Sequence, residues 1–174
     1  MRPHRPALRV AAALLTGILL GLCVGLAQAA QDVAFEPLDA DKCFAFSQLV
    51  PSRLDGDKKI ELPFELVIED AGEYRKILDP KLRNADCDEA ALKTVTDVDF
   101  STRSVLGLWT SGSCGESFKK AVLRDDLNKT IIYAVTIVPG PLPVCMRSVV
   151  HSLNLVAIPK IPLGYRVLFE KIEG

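Results

Sequence analysis

Residues equipped for chemistry are few in this chain and concentrate in its second half. Of two histidines, His4 and His151, only the second lies beyond the N-terminal apolar segment. His151 could act as the base for Ser111, Ser113 or Ser117 in nucleophilic hydrolysis. No Gly-x-Ser-x-Gly order surrounds any of the three, although Ser111-Gly-Ser-Cys-Gly115 has the small residues. His151 also opens an apolar strand, where a histidine hydrogen-bonded for structure is the commoner case. Catalysis is therefore the secondary reading.

Carboxylates recur at Asp97/Asp99, Asp125/Asp126 and Asp86/Asp88/Glu89, which raises a glycosidase pair or a calcium loop. Asp125-Asp126 is better explained as turn chemistry, since aspartate bonds its own backbone in turns. The Asp86 group lacks the glycine and terminal bidentate glutamate of an EF-type loop. Solvated loops account for all three. Ser111–Gly115 could cradle an anion through exposed amides, but no lysine stands in P-loop register and no helix pattern follows. We expect no metal and no cofactor.

Five cysteines become four if residues 1–29 are removed: Cys43, Cys87, Cys114 and Cys145. An even count in an exported chain points to two disulfides, and no pair has the C-x-x-C spacing of a zinc site. Cys43 with Cys87 and Cys114 with Cys145 is the favoured pairing, because Cys114 precedes and Cys145 follows one hairpin. The other two connectivities stay open. Asn128-Lys-Thr130 matches a glycosylation sequon.

The leader itself has three parts. Arg2, Arg5 and Arg9 form a basic start, Val10 to Leu26 is uncharged, and Ala27-Gln28-Ala29 offers a small-x-small cleavage site. We expect 1–29 to be a signal peptide and 30–174 to be a single exported domain, periplasmic or extracellular. An uncleaved anchor is the alternative, weakened by the glycines and Thr16 within the run. Leu22 before Cys23 does not fit a lipobox. Cleavage leaves 145 of 174 residues, with 18 basic against 22 acidic, a net of −4. That balance argues against nucleic acid or anionic lipid as partner, and no membrane segment is expected after cleavage.

The elements that must hold these residues follow from periodicity. Cys43 to Val50 alternates Phe44 and Phe46 with small residues, which predicts a strand. Pro51 and Asp55-Gly-Asp57 then turn the chain. Lys59 to Glu69 alternates strictly, with Ile60, Leu62, Phe64, Leu66 and Ile68 on one face, and Pro63 makes it an edge strand or bulges it. Asp70 can cap a helix of about two turns with Glu73 reaching back. Tyr74, Ile77 and Leu78 lie on its inner face, and Pro80 stops it. Asp88 to Thr94 predicts a helical turn. Val105 to Trp109 predicts a buried strand followed by a small-residue turn ending on Cys114. Ser117 to Arg124 and Lys129 to Val138 predict a hairpin around Asp125–Asn128, its second strand central because both faces are apolar. Leu153 to Ile158 and Tyr165 to Ile172 predict closing strands. The fold class is α+β: mostly antiparallel sheet with one or two short helices, disulfide-bonded.

Val98-Asp-Phe-Ser101 followed by Val105-Leu-Gly-Leu-Trp-Thr-Ser-Gly-Ser-Cys114 resembles small exported bacterial proteins with a PrcB C-terminal-like domain. The resemblance spans Phe64 to Lys171. The member that names the family is a lipid-anchored accessory subunit of a surface protease complex, so the resemblance implies a binding role and no catalysis. This chain departs from it in lacking a lipobox and in carrying Ser-Gly-Ser-Cys at the turn.

The expected function is a non-enzymatic exported binding or accessory protein with a protein partner, associated with a surface or periplasmic protease. Its candidate contacts are Ser111, Gly112 and Ser113, with Pro139, Pro141, Leu142 and Pro143 in a proline-stiffened loop that loses little entropy on docking. The alternatives are a small exported hydrolase using His151, or a structural envelope protein.

Overall fold

A computed structural model describes residues 30–46, 64–113, 115–140 and 149–174. The leader, the Pro51–Asp57 turn, Lys59 to Pro63, Cys114 with its expected bridge to Cys145, and Pro141, Leu142 and Pro143 lie outside those residues. The chain opens with strands β1 (Gln31–Asp32) and β2 (Glu36–Leu38) and helix α1 (Ala40–Cys43). Strand β3 (Glu65–Ile68) and helices α2 (Ala71–Ile77) and α3 (Glu89–Thr96) follow. The rest is strand: β4 (Arg103–Ser113), β5 (Ser117–Asp125), β6 (Thr130–Val138), β7 (Val149–Pro159) and β8 (Arg166–Glu173).

These form two four-stranded sheets, in the orders β1-β5-β6-β8 and β2-β7-β4-β3. All pairings are antiparallel except β6 with β8. That parallel pair needs a crossover, and β7 supplies it from within the other sheet. Burial then sorts the side chains into layers. Leu106 and Leu108 of β4, Val156 and Ile158 of β7, and Tyr133 and Val135 of β6 fill the space between the sheets. The other face of β4 and β7, carrying Val105, Trp109, Leu153 and Leu155, packs against α2, α3 and the Phe44–Phe46 segment. The layers are therefore sheet, sheet, helices. A strand buried on both faces reads as a continuous apolar run, which is why Val105–Trp109 and Leu153–Ile158 lack clean alternation.

Local chemistry explains the helices. The Asp70 carboxylate accepts from the Gly72 and Glu73 amides at 2.8 and 2.9 Å, a cap that stabilises α2 by about 1 kcal/mol. Tyr74 and Ile77 are buried, and the Tyr74 hydroxyl donates to the Val95 carbonyl at 2.8 Å, tying α2 to α3. Asp88 caps α3 by accepting from Ala91. Pro80 opens a 3-10 turn, beyond the end of α2.

Two expectations need correction. Cys43 to Phe46 is no strand: α1 ends at Cys43, and Phe44 makes one bridge to Arg83. The alternation there was misleading because Phe44 and Phe46 enter the same core, stacked 5.8 Å apart. Likewise Ser111, Gly112 and Ser113 are not a turn. They are the last residues of β4, paired with His151, Val150 and Val149. The partner strand β7 runs the full length of β4, so small residues suffice to continue the ladder.

Cys43 and Cys87 are joined by a disulfide. β3 is an edge strand as expected, and Leu66 and Ile68 are buried, whereas Phe64, on the same face, is 64% exposed. Among the described residues no helix is long and apolar enough to cross a membrane.

Candidate functional site

Several of the residues singled out above meet at one end of the two sheets. Ser111 stands directly across the ladder from His151, and its Oγ lies 3.0 Å from Nδ1. Directly opposed strand residues have Cβ atoms about 5 Å apart, so the register alone is enough to produce this contact. Ser111 is exposed and His151 half-buried. On the same face, Trp109 is buried edge-on to Phe46, and among the described residues its indole N–H has no hydrogen-bond partner. On the opposite face, a Cβ at Gly112 would lie 2.1 Å from the Glu116 carboxylate, which covers that glycine.

The true turn after β4 centres on Gly115, whose φ of +86° belongs to the left-handed region open to glycine. β5 then begins at Ser117, opposite the last residue of β6, Val138. Pro139 and Gly140 leave that strand and come back onto the turn. A Cβ on Gly140 would sit 2.1 Å from the Gly115 carbonyl oxygen, so two glycine backbones are in direct contact. The β4–β5 turn and the start of the proline-rich loop thus share one surface. Pro141, Leu142 and Pro143 continue that loop outside the described residues.

Compared with protein-family models, curated proteins and solved structures, the chain matches none.

The carboxylates that invited a catalytic or calcium reading have local work. Asp99 accepts from the Ser101 amide and hydroxyl and from the Thr102 hydroxyl. Asp97 pairs with Lys93 one helical turn back, and Asp88 caps α3. Asp125 accepts from the Asn128 amide and side chain, closing the hairpin turn and engaging the sequon asparagine. Asp126 receives Arg124 and the Tyr165 hydroxyl, with the Arg124 guanidinium 5.0 Å from the Tyr165 ring. Among the described residues no group of three or more His, Cys, Asp and Glu side chains is placed to hold a metal ion.

These bonds predict an acid limb in stability. Hydrogen bonds from Ser101 hold Asp99 below its ordinary pKa, those from Asn128 do so for Asp125, and those from Tyr165 and Arg124 do so for Asp126. A carboxylate with a depressed folded-state pKa adds stability that is present above the unfolded value, about 4, and lost as pH falls through the folded value. Asp41 has the opposite sign. Burial raises its pKa, so its protonation on the acid side favours the folded state. The melting temperature should fall below about pH 4, and Asp99→Asn should flatten that fall; an unchanged acid limb in the variant would contradict the assignment.

One cluster escaped the sequence reading. Asp41, Lys120, Ser152 and Asn154 line a cavity of about 210 Å³ beside α1. Its one legible signal was Lys120 itself, which lies between Phe118 and Val122 on the apolar face of β5.

Proposed function

We propose that this chain is an exported, non-enzymatic binding protein. Its partner-facing surface is the end of the sandwich where Ser111–Gly115 meets Pro139 and Gly140. The observation that carries the reading is the backbone contact between Gly140 and Gly115. It brings the turn that follows Ser111–Ser113 against the start of the loop that begins at Pro139. A loop pinned at its base has less entropy to lose on docking. The Cys43–Cys87 bridge is compatible with maturation outside the cytoplasm. The resemblance to PrcB C-terminal-like domains makes a protease complex the partner of choice, with this chain as the accessory subunit.

Crosslinking and mass spectrometry of the native envelope fraction should place partner crosslinks on this end. Ser113→Arg with Leu142→Asp should weaken binding to the crosslinked partner about 100-fold, the effect of losing an interface hot spot. Crosslinks confined to another face, or unchanged affinity in the variant, would overturn the reading.

A second reading, a small exported hydrolase, draws on the 3.0 Å approach of Ser111 Oγ to His151 Nδ1. In that reading His151 is the base and Ser111 the nucleophile. Ser111→Ala and His151→Ala should then each abolish turnover on an ester, peptide and glycan panel. Equal turnover in wild type and both variants would remove it.

A further inference from the structure

The cavity beside α1 owes its shape to two strand edges that stop being covered. β2 ends at Leu38, opposite Leu155, so among the described residues the earlier part of β7 has no strand beside it on the side away from β4. Asp41 of α1 takes over there: its carboxylate accepts from the Leu153 amide at 3.3 Å and from the Ser152 hydroxyl. In the other sheet, β1 pairs only with Leu123 and Arg124 of β5. Lys120 lies just beyond that cover, on the face of β5 that looks between the sheets. Its stem runs inward and its ammonium reaches the Leu155 carbonyl at 3.4 Å.

The cavity therefore holds an exposed anion at its mouth, Asp41, and a half-buried cation, Lys120. Among the described residues Lys120 forms no ion pair, and Asp41 forms none either. Lys120 uses one of three N–H donors, and Asp41 keeps acceptor capacity beyond its two bonds. Asn154 spends its amide N–H₂ on Thr110 and the Leu108 carbonyl, which leaves its side-chain oxygen as a further acceptor. Asp39 and Lys42 at the rim pair with each other at 2.6 Å, and the Asp39 charge is still felt by both Lys120 and Asp41. Phe118 supplies an apolar wall.

We infer that this cavity binds a small zwitterion of the α-amino acid type, its carboxylate on Lys120 and its ammonium on Asp41 and the Asn154 side-chain oxygen. An anion alone would meet Asp41, and a cation alone would meet Lys120. A zwitterion answers both at once within about 210 Å³. Burial raises the Asp41 pKa and lowers that of Lys120. Each ion is therefore under-compensated by its surroundings, and a ligand of opposite local charge relieves both. The inference does not depend on the partner surface proposed above.

The test titrates the oxidised, exported protein with L-alanine, N-acetyl-L-alanine and L-alaninamide, following backbone amide shifts by NMR. L-Alanine should bind with a Kd of about 1 mM or tighter and shift Lys120, Ser152 and Leu153. Each blocked analogue should bind about tenfold more weakly or worse, having lost one charge-assisted contact. Lys120→Met should lose L-alanine binding while retaining the wild-type melting temperature, and Asp41→Asn should lose it too. Absence of shifts with L-alanine, equal binding of either analogue, or wild-type binding by folded Lys120→Met would overturn the inference. The analogue series on the unmodified protein decides the matter even if Asp41→Asn fails to fold.

Discussion

Replacing Cys43 and Cys87 together with alanine is expected to lower the unfolding free energy by about 3–4 kcal/mol. The bridge closes a loop with a sequence separation of 44 residues, and in the loop-entropy account most of its effect is exerted on the unfolded chain. The folded junction has other ties. The Asn84 amide donates to the Cys43 carbonyl at 2.8 Å, and the Ala45 amide to the Leu82 carbonyl at 2.7 Å. The same two segments thus stay in register without the sulfur link, and the double variant should fold to the same structure with a lower urea midpoint and a somewhat steeper slope, because the unlinked unfolded chain is less compact. A loss under about 1 kcal/mol would show that the bridge constrains little. The single Cys87→Ser variant is a poorer test, because it leaves the Cys43 thiol fully buried beside a new hydroxyl. The pair also stands next to Asp41, the residue that covers the β7 edge. Loosening α1 should therefore raise amide exchange at Leu153 before it is felt at Val156 on the covered part of the strand.

How far the fold could be read from the chain depended on whether the deciding interactions were local. The Asp70 cap, the Asp125–Asn128 turn and the alternation ending at Ile68 each involve residues within a few positions of one another, and each stands in the structure. The central position of β6 was legible for a different reason: a strand with Ile132, Ala134 and Val138 opposite Ile131, Tyr133 and Val135 has no solvent face to spare. What could not be read was set by partners distant in sequence. Nothing local in Arg166–Glu173 specifies that it joins β6 in parallel, because that follows from β7 having crossed in the other sheet. Phe44 and Phe46 mimic a strand period, yet their packing is decided by Trp109 and the helices. Ser111–Ser113 has turn composition and becomes strand because β7 lies alongside. At the candidate site, sequence proximity pointed to both loops but not to their contact. The Asp41–Lys120 cavity joins α1, β5 and β7, and only the misplaced charge of Lys120 hinted at it.

The second large effect concerns Gly107, in the middle of β4 with Leu66 of β3 and Leu155 of β7 as its direct neighbours on either side. All three face the helical layer, and the two leucines close over the glycine. A Cβ at Gly107 would lie 2.7 Å from Leu155 Cδ2 and 3.2 Å from Leu66 Cβ. The first of these is the end of a rotatable side chain and can move. The second is fixed to the backbone of β3 and cannot. Gly107→Ala should thus cost little, since relief of glycine's strand entropy, about 0.5–1 kcal/mol, offsets a small displacement of Leu155. Gly107→Val adds two methyl groups in a close-packed layer and should destabilise by about 2–3 kcal/mol. The source of that loss can be isolated. Leu155→Ala alone should cost about 3 kcal/mol by opening a cavity. Combined with Gly107→Val, the new methyl groups fill part of the space, and the double variant should be more stable than the sum of the single losses by about 1 kcal/mol or more. Strict additivity in urea unfolding would mean that Leu155 is not what a side chain at position 107 strikes. The collision would then lie with Leu66, and Leu66→Ala is the partner substitution that should show the coupling instead.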